Sequence, residues 1–280
     1  MSPILERMKY VDTHNHQAGW SVDATVTLAE LTAEARALGL AGLTLTDHYD
    51  YNGREDNVWY FDPESYAGHM ADRRQTGSGD VLVLSGIELG YTREHEAHVR
   101  RIAALDGFDH VILSLHFFQG HDPFFEPDAV AAGYPNHAAF VAAVINEIAA
   151  YAERMPEVNT IGHYDFCSRY VRWDKSKFNY ADAPEAFDRL LTAIIRNGQS
   201  LELNAGTVTS LLGKGYDATG ALPDPAILSR YHELGGRLVT IASDAHKPGR
   251  LGQHAAALLA MLPQAGLSAC YFREKKVCGV

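Results

Sequence analysis

The chain has 280 residues, of which 46% are hydrophobic and 21% are charged, and its 35 acidic and 24 basic side chains give a formal charge of −11. This composition is typical of a globular protein with a hydrophobic core, which excludes disorder over most of the chain. No apolar run reaches the ~18–20 residues that span a bilayer. The acidic balance also argues against nucleic-acid binding, which needs a basic face.

The N-terminus and the cysteines narrow the class of protein further. The sequence MSPILERMKYVD carries charge where a secretory signal is apolar, which predicts a cytoplasmic protein. The three cysteines lack zinc-ribbon spacing, so we expect neither a disulfide framework nor a cysteine metal site. The unusual feature of the composition is the presence of 14 histidines.

Short apolar, β-branched runs recur along the chain and predict buried strands. Longer segments separate them, in which apolar residues recur every three or four positions. The seven predicted strands are Lys9–Asp12, Gly42–Thr46, Val81–Ile87, His110–Leu115, Val158–Ile161, Ser200–Leu203 and Arg237–Ile241.

Three of the intervening segments predict helices with recognisable ends. The first covers Leu28–Leu38, with Thr27 and Glu30 as a capping box and Gly39 as the C-terminal stop. Two long segments, 49–80 and 117–135, contain aromatic residues, Pro and Gly and are interpreted as loops. The other two helices are expected from about Asn136 to Arg154 and, after Asp182 as N-cap, from Pro184 to Gly198.

Alternating strands and helices indicate βαβ units and therefore a parallel sheet. Seven strands in 280 residues fit an α/β fold of the TIM-like kind, a distorted (β/α)7 barrel whose site lies at the C-terminal ends of the strands. An open, doubly wound sheet is the alternative. We expect a single domain over residues 1–280.

Each predicted strand ends in a polar residue that can do chemistry. In parallel α/β folds these ends face a common ligand site. The polar groups are Asp12-Thr13-His14-Asn15-His16, Thr46-Asp47-His48, Glu88, His116, His163, Asn204 and Ser243-Asp244-Ala245-His246.

This set of residue types predicts a metal site. Imidazole and carboxylate groups bind Zn, Fe and Mn, and His14 and His16 share one face of a strand because side chains alternate with a period of two. Asp244 and His246 have the same spacing, and Glu88 could bridge two ions. One His-x-His alone is weak evidence. The prediction depends on the coincidence of such residues at six of the seven strand ends, and the other eight histidines are expected to be solvated or capping residues.

The order HNH, TDH, GIE, SLH, IGHYD and SDAH resembles the polymerase-and-histidinol-phosphatase (PHP) family of metal-dependent phosphoesterases, from about residue 10 to residue 250. The segments GIELGY, VILSLHFF, IGHYDFCSRY, LELNAG and YFREKK make the chain most similar to the histidinol-phosphatase branch. The resemblance implies a distorted (β/α)7 barrel with two to three divalent ions, Zn, Fe or Mn. It also implies that a metal-bridging hydroxide attacks phosphorus in line.

Carried over by position, the resemblance implies three groups of metal ligands. The loop ligand of the second group is the weak match, because Val22 stands at the family position and Asp23 follows it. Asp244, His246 and Glu88 are expected to be catalytic, and Asp47 is expected to orient a ligand. The first ion would take His14, His16, Glu88 and Asp244, the second His48, His246 and Asp23, and the third Glu88, His116 and His163.

The implied substrate is a small phosphorylated metabolite, with L-histidinol phosphate of histidine biosynthesis favoured. Arg169 and Arg250 are candidate phosphate ligands, since a guanidinium forks onto phosphate oxygens. The leaving group would need an acidic or aromatic pocket, and the sequence does not rank its candidates, which are Phe117, Phe118, Tyr91 and Tyr164.

Three other functions stay open from the sequence. The first is a related phosphoesterase, which would share the same metal ligands. The sequence does not indicate the oligomeric state of any of these candidates. Amidohydrolases also carry an HxH motif on the first strand, but often use a carbamylated lysine, and no lysine ends a strand here. A metal-bound regulatory module is the third alternative.

Overall fold

The computed structural model describes residues 10–54, 57, 59–76, 81–171, 173 and 175–279, with residues 71–76 described through their backbone. One sheet of ten strands forms its centre, and every neighbouring pair is parallel except the last. The strands are β1 Val11–Asn15, β2 Gly42–Leu45, β3 His48–Tyr49, β4 Leu82–Gly90, β5 His110–Ser114, β6 Thr160–Ile161, β7 Ser200–Asn204, β8 Leu238–Ala242, β9 Ser268–Arg273 and β10 Lys276–Gly279.

The strands follow one another round the sheet in chain order, except that the short β3 pairs with β4 alongside the main path. Helices separate most of them, as βαβ units require. The helices are α1 Leu28–Leu38, α2 Pro63–Thr76, α3 Glu96–Ala103, α4 Pro127–Ala131, α5 His137–Arg154, α6 Pro184–Asn197, α7 Ala205–Gly213, α8 Pro225–Glu233 and α9 Ala255–Met261.

The sheet curls until β1 meets the chain that follows β8. The backbone N–H of Asp244 donates to the carbonyl of His14 at 3.0 Å, and that of His16 donates to the carbonyl of Ala245 at 3.0 Å. The buried carboxylate of Asp12 accepts from the backbone N–H of Ser243 at 3.0 Å. The predicted barrel-like α/β fold is confirmed, and these bonds hold its seam together at the end where the strands finish.

The predicted capping box of α1 is confirmed, the predicted N-cap of α6 was wrong, and α5 has an N-cap that was not predicted. The capping box of α1 and the left-handed Gly39 (φ 72°) are present, and Asn136 caps α5 through Ala139. The N-cap of α6 is Ala183, so the prediction of Asp182 was wrong. Asp182 instead ends a 3-10 turn and accepts from the backbone N–H of Asn179 at 3.0 Å.

Several predicted boundaries were also wrong. Strand β4 runs to Gly90, so Glu88 lies inside the strand rather than beyond it. The predicted loop 49–80 contains α2, and the predicted loop 117–135 contains α4. The sequence analysis missed β3, β9 and β10 altogether.

The barrel interior below the strand ends contains a layer of buried polar groups. The Nε2 atom of His110 lies 2.6 Å from Thr160 Oγ1, which lies 2.7 Å from Ser200 Oγ. Ser200 Oγ in turn lies 3.4 Å from Thr240 Oγ1, so the chain of groups crosses four neighbouring strands.

Among the described residues, no helix has the length and apolar character needed to cross a bilayer.

Candidate active site

A single buried carboxylate lies at the centre of the groups that follow the strands. Glu88 is fully buried, and Ser114 Oγ donates a hydrogen bond to its Oε1 at 2.6 Å. Imidazole nitrogens from five histidines surround its two oxygens. On Oε2 these are His48 Nδ1 at 2.7 Å, His14 Nε2 at 3.2 Å and His16 Nε2 at 3.6 Å, and on Oε1 they are His163 Nε2 at 2.8 Å and His116 Nε2 at 3.1 Å.

Several nitrogens and one oxygen of this cluster lie close together but do not form hydrogen bonds with one another. His14 Nε2, His16 Nε2, His48 Nδ1 and Glu88 Oε2 are all buried and have no hydrogen-bond partner. A buried polar atom without a partner carries a desolvation cost of about 1–3 kcal/mol, so four of them together call for an explanation. Lone pairs that aim at a shared point are the arrangement expected of ligands around a cation.

Hydrogen bonds at the opposite ring nitrogen fix the orientation and tautomer of four histidines. An acceptor at Nδ1 holds a proton there, so the neutral ring has its lone pair on Nε2. The acceptors are Glu202 Oε2 for His14 at 2.9 Å, Ser21 Oγ for His16 at 3.1 Å, Asp50 Oδ1 for His116 at 2.8 Å and the Asp244 carbonyl for His246 at 2.9 Å.

Asp47 is linked to His16 by hydrogen bonds through Ser21. The Ser21 hydroxyl donates to Asp47 Oδ1 at 2.8 Å, so its oxygen is left to accept from His16. Gln17 and Tyr66 also donate to the Asp47 carboxylate, which is fully buried. These contacts agree with the predicted orienting role of Asp47.

Asp244 has a strained backbone that brings its carboxylate beside two histidines. Its φ of 56° lies in the left-handed region, where non-glycine residues carry a conformational cost of about 1–3 kcal/mol. Oδ1 lies 3.4 Å from His16 Nε2 and 3.5 Å from His246 Nδ1. Oδ2 accepts from Arg169 at 3.0 Å. Strain of this kind at a cluster of polar groups is typical of functional sites.

The charges around Glu88 and Asp244 keep both groups ionised. Burial alone would raise the pKa of Glu88, but His14, His116 and His48 hold it well below its usual range. Burial would likewise raise the pKa of Asp244, and His14 and Arg169 hold it well below its usual range. Both carboxylates are therefore available as anionic ligands at neutral pH.

The guanidinium of Arg169 is held by three acceptors. Its Nε donates to Thr207 at 3.0 Å, and its two terminal nitrogens donate to Asn204 at 2.8 Å and to Asp244 at 3.0 Å. A guanidinium has five N–H groups, so two remain, one on each terminal nitrogen. A Cβ added to Gly206 would lie 3.0 Å from the guanidinium atoms, so glycine leaves room for it.

Asp23 and Val22 differ in the way the loop after β1 presents them. Asp23 Oδ2 lies 3.3 Å from His246 Nε2 and 3.8 Å from His48 Nε2, whereas Val22 is 56% exposed. His48 Nε2 lies 3.1 Å from His246 Nε2. The geometry therefore favours Asp23 as the loop ligand over a second ion that is held without one.

The structure does not bring Arg250 into the cluster. Its side chain is exposed, donates to Gln253 at 2.8 Å and is absent from the described lining of the cavity that contains Arg169. Of the two arginines predicted to bind phosphate, only Arg169 lies beside the candidate ligands.

Sequence reasoning missed Glu202, Asp50 and Ser21, which position three of the histidines. Glu202 is fully buried and also accepts from the backbone N–H of His163 at 3.0 Å. Its position in LELN, two residues before Asn204, places both on the same face of β7. A charged residue inside the apolar strand β7 was the signal in the sequence that could have identified Glu202.

A Cβ on Gly90 would collide with Asp50, which explains the glycine at the end of β4.

A cavity of about 310 Å³ opens above the cluster. His48, His116, His163, Asp244 and Arg169 line its inner end. Of the four aromatic residues considered for the leaving group, Phe117 lines this cavity, while Phe118, Tyr91 and Tyr164 are buried and are absent from its described lining. The volume suits a small ligand rather than a polymer.

Comparisons with known proteins agree with this arrangement. The sequence model of the PHP domain matches residues 12–206. The chain is 27% identical to a probable histidinol-phosphatase of Thermotoga maritima over 87% of each sequence. It is 26% identical to a probable histidinol-phosphatase of Clostridium acetobutylicum, covering 94% of this chain and 97% of that protein.

Two solved structures share the fold. One is the histidinol phosphate phosphatase of Lactococcus lactis in complex with zinc, L-histidinol and phosphate, with a TM-score of 0.79 and 19% identity over 96% of this chain and 99% of that chain. The other is a putative histidinol phosphatase of Listeria monocytogenes, with a TM-score of 0.72 and 18% identity over 88% of this chain and 99% of that chain. At these identities the likeness establishes the fold.

Proposed function

The chain belongs to the PHP domain family, whose sequence model covers residues 12–206, and we propose that it is a divalent-metal-dependent phosphatase of L-histidinol phosphate. The relatives in Thermotoga maritima and Clostridium acetobutylicum are both named as probable histidinol-phosphatases. The observation that carries the proposal is the buried Glu88 carboxylate, which has nitrogens of five imidazoles within 3.6 Å of its oxygens.

The residues present fit a metal centre on their own chemistry. Four buried atoms without hydrogen-bond partners point into one space, and two of them are the Nε2 atoms of His14 and His16, whose Nδ1 atoms are hydrogen-bonded. Nitrogen and carboxylate ligands without cysteine suit a catalytic site for Zn, Fe or Mn. Three sets of residues each bring their ligand atoms within 4.8 Å of one another. The sets are His14, His16 and Glu88; His16, His48 and His246; and His48, Glu88 and His116.

These sets support the proposal of two to three ions with Glu88 between them. They share His16 and His48, each of which appears in two sets, whereas the family pattern assigns each histidine to one ion. Asp244 near His16 and Asp23 near His246 would add carboxylate ligands to the first and second sets. His163, at 2.8 Å from Glu88 Oε1, would complete the third.

The chain's own residues would bind and orient the phosphate. Divalent ions held in this centre would supply Lewis-acid polarisation of the phosphoryl group and a water deprotonated at neutral pH. Arg169 keeps two N–H donors that can fork onto phosphate oxygens. Because Asn204, Thr207 and Asp244 fix it beforehand, Arg169 needs little reorganisation as negative charge develops.

The proposal is tested by phosphate release from L-histidinol phosphate after metal removal and replacement. Protein stripped with a chelator is expected to be inactive and to recover with Zn²⁺, Mn²⁺ or Fe²⁺. A His14→Ala variant is expected to stay inactive after reloading, whereas a His232→Ala variant, in α8 and absent from the described cavity lining, serves as the matched control and stays active.

Two results would overturn the proposed substrate or reaction. Reloaded protein that cleaves other small phosphomonoesters but not L-histidinol phosphate belongs to a related phosphoesterase branch. Reloaded protein that cleaves amides or lactones but no phosphoester is an amidohydrolase-type enzyme. No lysine stands among the described residues that line the cavity, which disfavours a carbamylated-lysine site.

A further inference from the structure

We propose that segment 122–125 forms the subsite for the leaving alcohol, and that it selects a phosphomonoester whose alcohol carries both a flat ring and a cationic nitrogen. The inference rests on the proposed function, because it assumes that the phosphate binds at the metal-ligand end of the same cavity. It goes beyond that function by assigning substrate selection to residues that sequence reasoning did not single out.

A tight hairpin turn carries this segment to the cavity. The backbone N–H of Phe118 donates to the carbonyl of His121 at 2.9 Å, and the N–H of His121 donates back to Phe118 at 3.1 Å. Gln119 and Gly120 both have positive φ, at 53° and 81°, as a two-residue type I′ turn requires. Asp122, Phe124 and Phe125 then line the cavity.

Asp122 supplies a negative charge that is not yet used. Its Oδ1 accepts from the backbone N–H of Phe124 at 2.7 Å, which fixes the carboxylate. The structure gives Asp122 no ion pair with any cationic group among the described residues. The other carboxylates that line the cavity are each beside an imidazole or a guanidinium, and they are Asp23 with His246, Asp50 with His116 and Asp244 with Arg169.

A file of aromatic rings leads from the metal-ligand cluster to this segment. Successive ring centroids are 5.0 Å apart from His163 to Phe166, 5.2 Å from Phe166 to Tyr170, 5.3 Å from Tyr170 to Phe124 and 4.8 Å from Phe124 to Phe125. Phe124 is 58% exposed and Phe125 is 71% exposed, although both line a cavity. A ligand ring packed against them would bury this apolar surface.

The cavity is therefore polarised along its length. The inner end offers the Arg169 guanidinium and the candidate metal ligands to a phosphate, while the outer end offers one carboxylate and exposed rings. An aromatic ligand that also carries an ammonium group fits the outer end by ion pairing with Asp122 and by ring and cation–π contacts. Alcohols such as glycerol have neither feature.

The test compares L-histidinol phosphate with glycerol 2-phosphate in the metal-loaded protein. For Asp122→Asn we expect the ratio of the two kcat/KM values to fall about tenfold, since the negative charge that pairs with the substrate's cationic nitrogen is lost. For Phe125→Ala we expect a fall of about threefold to fivefold, with partial recovery in Phe125→Leu. The matched control is Asp128→Asn, an exposed carboxylate in α4 that is absent from the described cavity lining.

Binding of the product provides a readout independent of turnover. L-Histidinol is expected to inhibit the wild-type protein about tenfold more strongly than the Asp122→Asn variant. An unchanged selectivity ratio and an unchanged inhibition constant in active Asp122→Asn protein would overturn the subsite and leave the proposed function standing. A wild-type protein that cleaves glycerol 2-phosphate but not L-histidinol phosphate would overturn the proposed function itself.

Discussion

Two levels of the barrel interior contain buried histidines in different surroundings. At the lower level, His110 lies beside hydroxyl groups, with Thr160 Oγ1 2.6 Å from its Nε2. At the upper level, where the strands finish, His14 and His16 face the Glu88 carboxylate with their Nε2 atoms lacking hydrogen-bond partners. The same residue type contacts a hydroxyl group in one place and a carboxylate in the other.

The comparison shows that burial alone does not identify a candidate metal ligand. Burial lowers the pKa of His110 to about 3 although the charge of Glu202 opposes the shift, so this ring stays neutral. Burial would lower the pKa of His14 as well, but Glu88, Glu202 and Asp244 raise it well above its usual range. The upper level concentrates anionic groups around the imidazoles, as a cation site requires.

Replacing Glu88 by glutamine tests the upper level most severely. The change keeps the shape of the side chain but removes the charge that five imidazoles share. We expect kcat/KM for L-histidinol phosphate to fall on the order of 10³-fold, since several kcal/mol of transition-state stabilisation depend on the ions. Metal content per chain, measured by elemental analysis, should fall in parallel.

The matched control for this change is Glu185→Gln, which alters an exposed glutamate in the first turn of α6. Full metal content in Glu88→Gln protein would contradict the bridging role of Glu88.

Replacing Glu202 by glutamine tests whether the carboxylate beneath His14 positions it. The Glu202 oxygens accept from His14 Nδ1, from the His163 backbone and from Asn204. An amide NH₂ would face either the last two donors or His14 Nδ1, and in the second case it would move the His14 proton to Nε2. We expect metal affinity to fall about 10- to 100-fold, as for other partners of metal-bound histidines. Competition with a chelator measures the affinity, and an unchanged value would show that His14 does not depend on Glu202.

Replacing Gly206 by alanine separates phosphate binding from metal binding. The new Cβ would lie 3.0 Å from the Arg169 guanidinium and displace it. We expect KM to rise about tenfold at unchanged metal content, because the displaced Arg169 guanidinium no longer directs its two remaining N–H groups at the phosphate. Gly213→Ala, in the same helix with no atom within 4 Å of its Cβ, is the control. An equal effect of both changes would remove the case for Arg169.

Replacing His110 by glutamine tests the lower level and has the smallest expected effect. The unfolded chain binds a proton at this residue below about pH 6.5, whereas the folded chain binds it only near pH 3. Unfolding therefore takes up a proton between these values, and stability falls as the pH falls. Between pH 6.5 and 5 the wild-type protein should lose about 1.5 kcal/mol more than the variant.

Denaturant unfolding at the two pH values measures this difference, with a variant of the exposed His121 as the control. Equal pH dependence in wild-type and His110→Gln protein would mean that His110 is not held neutral by burial.

The parts of the site that the sequence predicted are those that repeat with the strands. His14, His48, Glu88, His116 and Asp244 follow apolar runs, and parallel strands bring such positions to one edge. Glu88 was expected beyond the strand, but it lies within β4 because the strand continues for two more residues. The predicted end of the strand, Ile87, is three residues short of Gly90, but the Glu88 side chain still faces the interior.

The parts that could not be predicted depend on contacts distant in sequence. Glu202 is 188 residues from His14, and Asp50 is 66 residues from His116. The hairpin of β9 and β10 was missed because Glu274 and Lys275 form its turn with positive φ of 52° and 59°. Asn and Gly are the usual signal for such a turn.

The central claim is that the upper level of the barrel is a metal centre, and anomalous diffraction from crystals of metal-loaded protein tests it most directly. We predict two or three anomalous peaks around Glu88, with ligand nitrogens of His14, His16 and His48 at about 2.0–2.1 Å for zinc. Anomalous peaks elsewhere, with none within bonding distance of Glu88 or these histidines, would contradict the account.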